Sequence, residues 1–261
     1  MISKIFSLEG HVAVVTGGAG YLGYHISSAL AEAGACVYIA GINYKKCRKA
    51  AEKISKEADA YCKGIYTDIS SVKKTRETFQ QIAAENSKID ILVNNAAFSK
   101  GKGLDMEEKN WIEGIDGTIN GVFRATQAVI PFMAEKAKGT IINIASMYGI
   151  VSPNPSIYNK EEYANPPNYG AGKAAILQFT RYAACHLGEK GIRVNSISPG
   201  SFPQKNIQKD KEFIANLERK IPLGRVGRPD ELKGAIIFLA SEASSYVTGA
   251  NICIDGGWTA W

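Results

Sequence analysis

A phenol and an ammonium group stand four residues apart in the segment 168–173 (NYGAGK). This spacing places Tyr169 and Lys173 on one face of a helix. A protonated lysine favours the phenolate form of a neighbouring tyrosine, so we expect the pKa of Tyr169 to move from about 10 towards neutral pH, where proton transfer is most efficient. Tyr169 is therefore a candidate general acid or base. A tyrosine packed on the stem of an exposed lysine has the same spacing, so the pair alone leaves both interpretations open.

A strand, a glycine-rich turn and a helix follow one another near the start of the chain. Residues 12–16 (VAVVT) are strand formers, residues 17–23 (GGAGYLG) supply the glycines, and apolar residues then recur at helical spacing. Gly18, Gly20 and Gly23 fit G-x-G-x-x-G, a pattern whose missing side chains let the backbone approach a pyrophosphate at a helix N-terminus. In this context the motif predicts a dinucleotide site. The candidate contacts in the turn are Gly17, Gly20, Tyr21 and Leu22.

The end of the second predicted strand bears on the choice between NAD and NADP. Segment 40–43 (AGIN) has no acidic residue to hold a ribose 2′-hydroxyl, which leaves Asn43 as the candidate contact. Three basic residues just beyond, Lys45, Lys46 and Arg48, could reach a 2′-phosphate. The sequence therefore predicts NAD(P) with a slight preference for NADP.

Short apolar segments alternate with helical patterns along the chain. They predict strands at 12–16, 36–40, 61–66, 89–93, 140–144, 192–197 and 251–254. This alternation indicates an α/β fold, a Rossmann-type doubly wound parallel sheet of about seven strands with helices on both faces. No linker or repeat interrupts the pattern, so we expect residues 1–261 to form a single domain.

Several small or polar residues directly follow these strands. Right-handed crossovers bring the carboxyl ends of parallel strands to one edge of the sheet, where a ligand would bind. Asp68 also fits the cap of a helix that runs to residue 86, and residues 94–95 fit an asparagine-rich turn, so structural roles stay open for these positions. The candidates at this edge are Asp68, Ile69, Asn95, Ala96, Ser146, Pro199 and Gly200.

Composition and charge are those of an ordinary globular protein. The net charge of +6 comes from dispersed residues and one lysine-rich segment, which is typical of a solvated helix face; we expect no nucleic-acid partner. Five scattered cysteines without a nearby histidine predict free thiols in a reducing compartment and no metal site. With no long apolar segment or secretion signal, we expect a cytoplasmic protein without a membrane partner.

Together these segments resemble the short-chain dehydrogenase/reductase family, and the resemblance covers nearly the whole chain. It implies a nicotinamide cofactor, with Asp68 near the adenine, Asn94 beside the cofactor and Lys173 bonded to the nicotinamide ribose. It further implies that Ser146 polarises a substrate carbonyl while Tyr169 donates its proton. A homotetramer or homodimer, built partly on the helix that carries Lys173, is also implied.

Four features depart from the usual family pattern. The glycines also fit Gly17-x-x-Gly20-x-x-Gly23, which is similar to the branch of the family that acts on sugar nucleotides. Thr118 stands where an asparagine usually completes the catalytic tetrad, so a proton relay through that helix is in doubt. Segment 201–204 (SFPQ) lacks the threonine that usually meets the cofactor carboxamide. Ser146 and Tyr169 are 23 residues apart, which is more than usual in the family.

The extra residues form a segment, 152–167, that we call the insertion. It is proline-rich at both ends and polar in the middle, so we expect an ordered loop over the active site. Its Tyr, Asn, Lys and Glu residues suit a substrate with many hydroxyl groups, and Trp258 and Trp261 could add stacking surfaces. A solvent-facing loop and aromatic subunit contacts are the alternative. The insertion and segment 117–123 resemble bacterial oxidoreductases of flagellin modification.

These observations predict an NAD(P)-dependent oxidoreductase that acts on a carbonyl or alcohol, expected to belong to a sugar derivative used in flagellar glycan synthesis. The expected catalytic residues are Ser146, Tyr169 and Lys173. Two alternatives remain: a dinucleotide-binding sensor or scaffold without catalysis, and an epimerase or dehydratase that retains its cofactor.

Overall fold

The computed structural model describes residues 2–261 as a central parallel sheet covered by helices. Its strands are β1 (Val12–Thr16), β2 (Cys36–Gly41), β3 (Cys62–Tyr66), β4 (Ile91–Asn94), β5 (Gly139–Ile144), β6 (Ile192–Pro199) and β7 (Asn251–Ile254). Its α-helices are α1 (Ile2–Ile5), α2 (Tyr21–Glu32), α3 (Tyr44–Ala58), α4 (Val72–Asn86), α5 (Glu108–Ile115), α6 (Gly121–Glu135), α7 (Pro167–Leu187), α8 (Lys211–Glu218) and α9 (Lys233–Ala240).

The strand order is β3-β2-β1-β4-β5-β6-β7, and all six pairs of neighbouring strands are parallel. The chain therefore runs outward from β1 in one direction and from β4 in the other. In such sheets the crevice at the carboxyl ends of the two central strands is where ligands bind. The expected doubly wound sheet of seven strands is confirmed, and β1 and β4 lie side by side at this switch point.

Helices cover both faces because successive side chains of a buried strand point to opposite sides. Ala13 and Val15 of β1 pack against α2, α3 and α9, whereas Val12 and Val14 pack against α4, α6 and α7. The five inner strands, β1, β2, β4, β5 and β6, thus contribute to two apolar layers, which explains why they read as continuous apolar runs.

The helical segment after β4 is irregular. Between α5 and α6, residues Asp116–Asn120 form a π-helical turn. Such turns are rare, and they are often found at functional sites. Thr118 lies in this turn, fully buried, and its hydroxyl donates to the carbonyl oxygen of Gly114 (2.9 Å). Among residues 2–261, no helix has the length and apolar character needed to cross a membrane.

Candidate active site

A cleft of about 1070 Å³ opens along the carboxyl edge of the sheet. It is lined by the turns that follow β1, β2, β4, β5 and β6, together with the start of α7 and part of α8. Most of the residues that the sequence marks as candidates for catalysis or cofactor binding line this cleft: Gly17, Gly20, Tyr21, Leu22, Asn43, Asp68, Ile69, Asn95, Ala96, Ser146, Tyr169, Lys173, Pro199 and Gly200. The exceptions are Gly18, Lys45, Arg48 and Asn94. The topology therefore brings together residues far apart in the chain.

The glycine turn after β1 has no room for side chains. Gly17 has φ +63°, and a Cβ there would lie 2.8 Å from Cα of Ala96. A Cβ on Gly23 would lie 2.2 Å from the carbonyl oxygen of Gly17. No side chain caps α2 at Gly20, so the backbone N–H groups of the first turn face the cleft edge and can bind an anion. Gly18 packs inward against Ser27, so the pattern 17, 20, 23 describes the cleft better than 18, 20, 23.

The turn after β2 places one of the three basic candidates for a 2′-phosphate contact at the cleft. Asn43 caps α3 by accepting from the backbone N–H of Lys46 (3.0 Å). Lys46 lines the cleft, whereas Lys45 does not, and Arg48 pairs with Glu52 along the exposed face of α3. Of the three residues that could reach a 2′-phosphate, only Lys46 is therefore placed at the site.

The interpretation of Asp68 as the cap of the following helix is wrong. Ser71 caps α4 by accepting from the backbone N–H of Lys74 (3.2 Å). Asp68 accepts instead from the backbone N–H and the hydroxyl of Ser70 (2.9 and 2.6 Å). Those bonds hold its carboxylate in the loop beside Ile69, and both residues line the cleft.

The two asparagines after β4 have different roles. Asn94, implied to lie beside the cofactor, is buried below the cleft and donates to Asn143 (2.9 Å) and Thr126 (3.2 Å). Asn95 lines the cleft, and its amide donates to the carbonyl oxygens of Thr16 (3.1 Å) and Gly17 (3.0 Å). Asn95 thus fixes the glycine turn from the neighbouring strand, while Asn94 ties β4 to β5.

Ser146, Tyr169 and Lys173 lie together in the cleft. Ser146 lies two residues after the end of β5 and accepts from the backbone N–H of Tyr148 (3.1 Å). Lys173 is buried, and its ammonium donates to the carbonyl oxygen of Ile144 (2.6 Å) and lies 5.6 Å from the centre of the Tyr169 ring. That single bond leaves two N–H donors of Lys173 for a ligand.

The acid–base properties of this pair differ from the expectation. Burial raises the pKa of Tyr169, and contact with the hydroxyl of Ser146 offsets only part of that rise. Burial also lowers the pKa of Lys173 to about 8. The predicted fall in the pKa of Tyr169 is therefore wrong for the protein without ligand, because removal from water penalises the phenolate more than its neighbours stabilise it. Near pH 7 the phenol is protonated.

Two residues that sequence reasoning missed hold the start of α7. Asn168 is fully buried, and its amide donates to the carbonyl oxygens of Lys100 and Asn110 (both 2.9 Å). Gly149, in the turn after Ser146, has no room for a Cβ, which would lie 2.7 Å from the backbone carbon of Lys173. These contacts fix the helix that carries Tyr169 and Lys173 against the turn that carries Ser146. The only sequence feature that could have indicated this role is that a polar residue, Asn168, stands directly before Tyr169.

The segment after β6 reaches back to the glycine turn. Pro199, Gly200 and residues 201–204 line the cleft. The hydroxyl of Tyr21 donates to the carbonyl oxygen of Pro203 (3.0 Å), which also accepts from the amide of Gln208 (2.8 Å). Tyr21 therefore connects the predicted pyrophosphate turn to the opposite wall.

The insertion forms part of the wall on the substrate side of Tyr169. It contains two short 3₁₀ turns, Pro155–Ile157 and Glu161–Tyr163. Asp210, the N-cap of α8, accepts from Lys160 (2.7 Å), Asn159 (3.2 Å) and Tyr163 (3.2 Å). The insertion residues that line the cleft are Tyr158, Glu162, Tyr163 and Asn165.

The expectation that Trp258 and Trp261 supply stacking surfaces is wrong. Trp258 is buried in an apolar cluster with Phe213 and Ile221. Trp261 is 80% exposed, and neither indole lines the cleft.

The geometry fits a dinucleotide. Close-packed glycines and an uncapped helix start occupy one end, Asn43 and Asp68 flank that end, and the buried ammonium of Lys173 lies at the other. Within the described residues 2–261, no group of three or more His, Cys, Asp or Glu side chains is placed to hold a metal ion.

Comparison with known proteins agrees with this geometry. A family model described as Enoyl-(Acyl carrier protein) reductase matches residues 18–259. The chain is 36% identical to the 3-oxoacyl-[acyl-carrier-protein] reductase FabG of Thermotoga maritima, over 96% of this chain and 98% of that protein. A solved structure of a short-chain type dehydrogenase/reductase from Mycobacterium marinum superposes with a TM-score of 0.89 at 35% identity, covering 99% of each chain. The chain belongs to the short-chain dehydrogenase/reductase family.

A second solved structure bears on the cofactor of this short-chain dehydrogenase/reductase. It is a gluconate 5-dehydrogenase from Burkholderia cenocepacia in complex with NADP and tartrate, with a TM-score of 0.89, 32% identity and coverage of 100% of both chains. This protein is accordingly an oxidoreductase that acts on CH–OH or C=O groups and binds NAD(P).

Proposed function

We propose that this enzyme transfers hydride between NAD(P) and a carbonyl or alcohol carbon of a sugar derivative. The observation that carries the proposal is the convergence of Ser146, Tyr169 and Lys173 in one cleft with the glycine turn. Bound NAD(P) supplies hydride in reduction and accepts it in oxidation.

In reduction, Tyr169 donates its hydroxyl proton to the oxygen of the substrate carbonyl, and in oxidation the phenolate takes that proton back. Ser146 holds the same oxygen by a hydrogen bond. Lys173, whose ammonium lies over the Tyr169 ring, stabilises negative charge on the phenol and binds the nicotinamide ribose with its two remaining donors. The raised pKa of Tyr169 keeps the phenol protonated at neutral pH, so the group is in the form that donates a proton in reduction.

The cofactor contacts follow from the cleft lining. We infer that the backbone of the glycine turn binds the pyrophosphate and that Asn43 contacts the adenosine ribose. Asp68 and Ile69 flank the adenine. The residues of the turn are Gly17, Gly20, Tyr21 and Leu22, and those that border the nicotinamide half are Asn95, Ala96, Pro199 and Gly200. The position of Lys46, with no acidic residue at the end of β2, supports NADP over NAD.

The sugar derivative is supported by the polar lining that the insertion contributes and by the similarity to a gluconate 5-dehydrogenase. A role in flagellar glycan synthesis rests on the resemblance of the insertion and of segment 117–123 alone.

As part of the same proposal, residues 1–261 form one domain, since all seven described strands lie in one sheet. The protein assembles as a homotetramer or homodimer through the helix that carries Lys173. A cytoplasmic location suits its five free cysteines.

The test is Tyr169→Phe, assayed for oxidation or reduction at the nicotinamide absorbance band with a panel of sugars, sugar alcohols and ketones. We expect turnover to fall on the order of 10²- to 10⁴-fold while the Kd of NADPH stays nearly the same. The control is Tyr246→Phe, which changes an exposed tyrosine outside the cleft. Undiminished turnover of Tyr169→Phe contradicts the assigned role. Tight cofactor binding with no turnover by the unaltered protein would favour a sensor.

A further inference from the structure

Two phenol hydroxyls meet on the substrate side of the cleft. The hydroxyls of Tyr148 and Tyr158 are 2.9 Å apart, and both side chains line the cleft. Tyr148 lies two residues after Ser146, whereas Tyr158 belongs to the insertion. Tyr148, Tyr158 and Tyr169 pack in the same cluster of side chains, so the pair lies near the proposed proton donor. The proposed mechanism makes no use of these hydroxyls.

The position of Tyr158 is fixed by α8. Its ring stacks on Phe213, with ring centres 6.0 Å apart and an angle of 23° between the planes. The preceding residue, Ile157, is buried, and its carbonyl oxygen accepts from the amide of Asn216 (3.2 Å). The hydroxyl pair is therefore a built feature of the cleft wall and not a chance contact of a surface loop.

The two hydroxyls of the pair can form further hydrogen bonds besides the one between them. When one phenol donates to the other, the second keeps its own O–H donor, and both oxygens can still accept. Burial raises the pKa of Tyr148 above its ordinary value, so this phenol is neutral at physiological pH. A neutral group that both donates and accepts complements an alcohol hydroxyl, which also does both.

The charges around the pair point to the same kind of ligand. Among the described residues that line the cleft beyond Tyr169, the insertion contributes one carboxylate, Glu162, and no basic side chain. Lys160, the basic residue of the insertion, is held by Asp210. Recognition on this side therefore depends on hydroxyl groups and not on ion pairing with an anionic substrate.

We propose that the Tyr148–Tyr158 pair is a subsite for a substrate hydroxyl close to the reacting carbon, so that the substrate is a hydroxylated ketone or polyol and not a simple ketone or acyl chain. This inference rests on the proposed function, because it names the substrate class of the same site. Tyr158 is then a specificity-determining residue contributed by the insertion.

The experiment measures NADPH-dependent reduction of three ketones that differ in one hydroxyl: butan-2-one, 3-hydroxybutan-2-one and 4-hydroxybutan-2-one. We expect kcat/KM of the unaltered enzyme to be higher for at least one hydroxylated ketone than for butan-2-one. Tyr158→Phe keeps the ring stack on Phe213 and removes one hydroxyl. It should reduce this preference about tenfold, the effect of losing one hydrogen bond to a substrate group, and leave kcat/KM for butan-2-one unchanged.

The matched control is Tyr163→Phe. Tyr163 also belongs to the insertion and packs on Phe213, with ring centres 4.5 Å apart, but its hydroxyl donates to Asp210. This variant should leave the preference ratio as it is in the unaltered enzyme. Equal losses of Tyr158→Phe on all three ketones, or an unchanged ratio, would overturn the subsite.

Failure of the proposed function can be distinguished from failure of the subsite. If the unaltered protein reduces none of the ketones, calorimetric titration of its NADP complex with xylitol tests the subsite without turnover. Binding that Tyr158→Phe weakens and Tyr163→Phe does not weaken supports the subsite. Equal binding by both variants, or no binding of xylitol to the unaltered complex, overturns it.

Discussion

Gly172 of α7 and Thr118 of the π-helical turn are in such close contact that a Cβ on Gly172 would lie 2.0 Å from the hydroxyl oxygen of Thr118. Thr118 occupies the position where the family usually has the asparagine of its tetrad. Its hydroxyl is directed to the carbonyl oxygen of Gly114, within its own helical segment, and its side chain packs on the helix that carries Tyr169 and Lys173. The threonine at position 118 thus fits against α7 because residue 172, one before Lys173, is a glycine.

We expect Gly172→Ala to destabilise the protein by about 1–3 kcal/mol, because the added methyl group overpacks this contact. Thr118→Ala in the same chain should recover part of the loss, since the two residues touch and their effects are not additive. Free energies of unfolding from urea titrations measure both. The control is Gly188→Ala at the end of α7, where an added Cβ meets no atom within 4 Å. Equal effects of the two alanines would contradict the close contact.

Lys46 should determine the preference for NADPH. Removing its ammonium in Lys46→Ala should weaken NADPH binding about tenfold, equivalent to about 1.4 kcal/mol, and leave NADH binding nearly unchanged. Quenching of tryptophan fluorescence on titration with each cofactor gives both values of Kd. Lys45→Ala removes a neighbouring charge that does not line the cleft and is the matched control. Equal loss of NADPH and NADH affinity in Lys46→Ala would exclude a contact with the 2′-phosphate.

The buried ammonium of Lys173 should make stability depend on pH. Its pKa in the folded protein is about 8, below the ordinary value of 10.5, so between these values the unfolded chain binds more protons. The free energy of unfolding should therefore rise with pH across this window, by up to about 1.4 kcal/mol per pH unit from this group. Lys173→Met removes the group and should flatten the rise between pH 8 and pH 9.5. Parallel profiles for the two proteins would show that Lys173 titrates as it does in water.

Asp210 should hold the insertion in place. The hydrogen bond from Lys160 lowers the pKa of its carboxylate, and Asn159, Tyr163 and the backbone N–H of Phe213 also donate to it. Asp210→Asn keeps a residue that can cap α8 but loses the charge that binds Lys160. We expect faster proteolytic cleavage within residues 152–167 and a higher KM for substrate, with the Kd of NADPH unchanged. Asp230→Asn, which affects an exposed acid beside Arg228, should change neither quantity.

Five of the seven strands, β1, β2, β4, β5 and β6, were predictable because they are buried on both faces. β3 and β7, at the two edges of the sheet, are less buried. β1 and β7 have the predicted bounds, and the other five strands differ from the prediction by one or two residues at an end. The π-helical turn was not predictable, since residues 108–135 have an ordinary helical pattern. The turn coincides with close contacts to α7, Thr118 against Gly172 and Gly114 against Asn168, that link residues more than 50 positions apart.

In the site, too, some features were predictable from the sequence and others were not. The residues directly after β1, β4, β5 and β6 could be placed at one edge of the sheet from chain order alone, because parallel strands end on the same side. Which side chains face the cleft could not be predicted from chain order. Lys45 and Lys46 are adjacent and identical in type, and only the cap at Asn43 and the direction of α3 place one of them at the cleft. The contacts of Asp210 with the insertion likewise join segments with no local pattern in common.

The attachment of the insertion to α8 also has an evolutionary consequence. Residues 152–167 are held by Asp210 and Asn216, and the loop before α8 is in turn bonded to Tyr21 of the glycine turn. A relative that lost the insertion would leave Asp210 with only the backbone N–H of Phe213 among the donors named above, and one that lost Asp210 would leave the insertion without its main anchor. We therefore expect the two segments to be inherited together, so that changes in substrate preference within this lineage arise by paired substitutions in both.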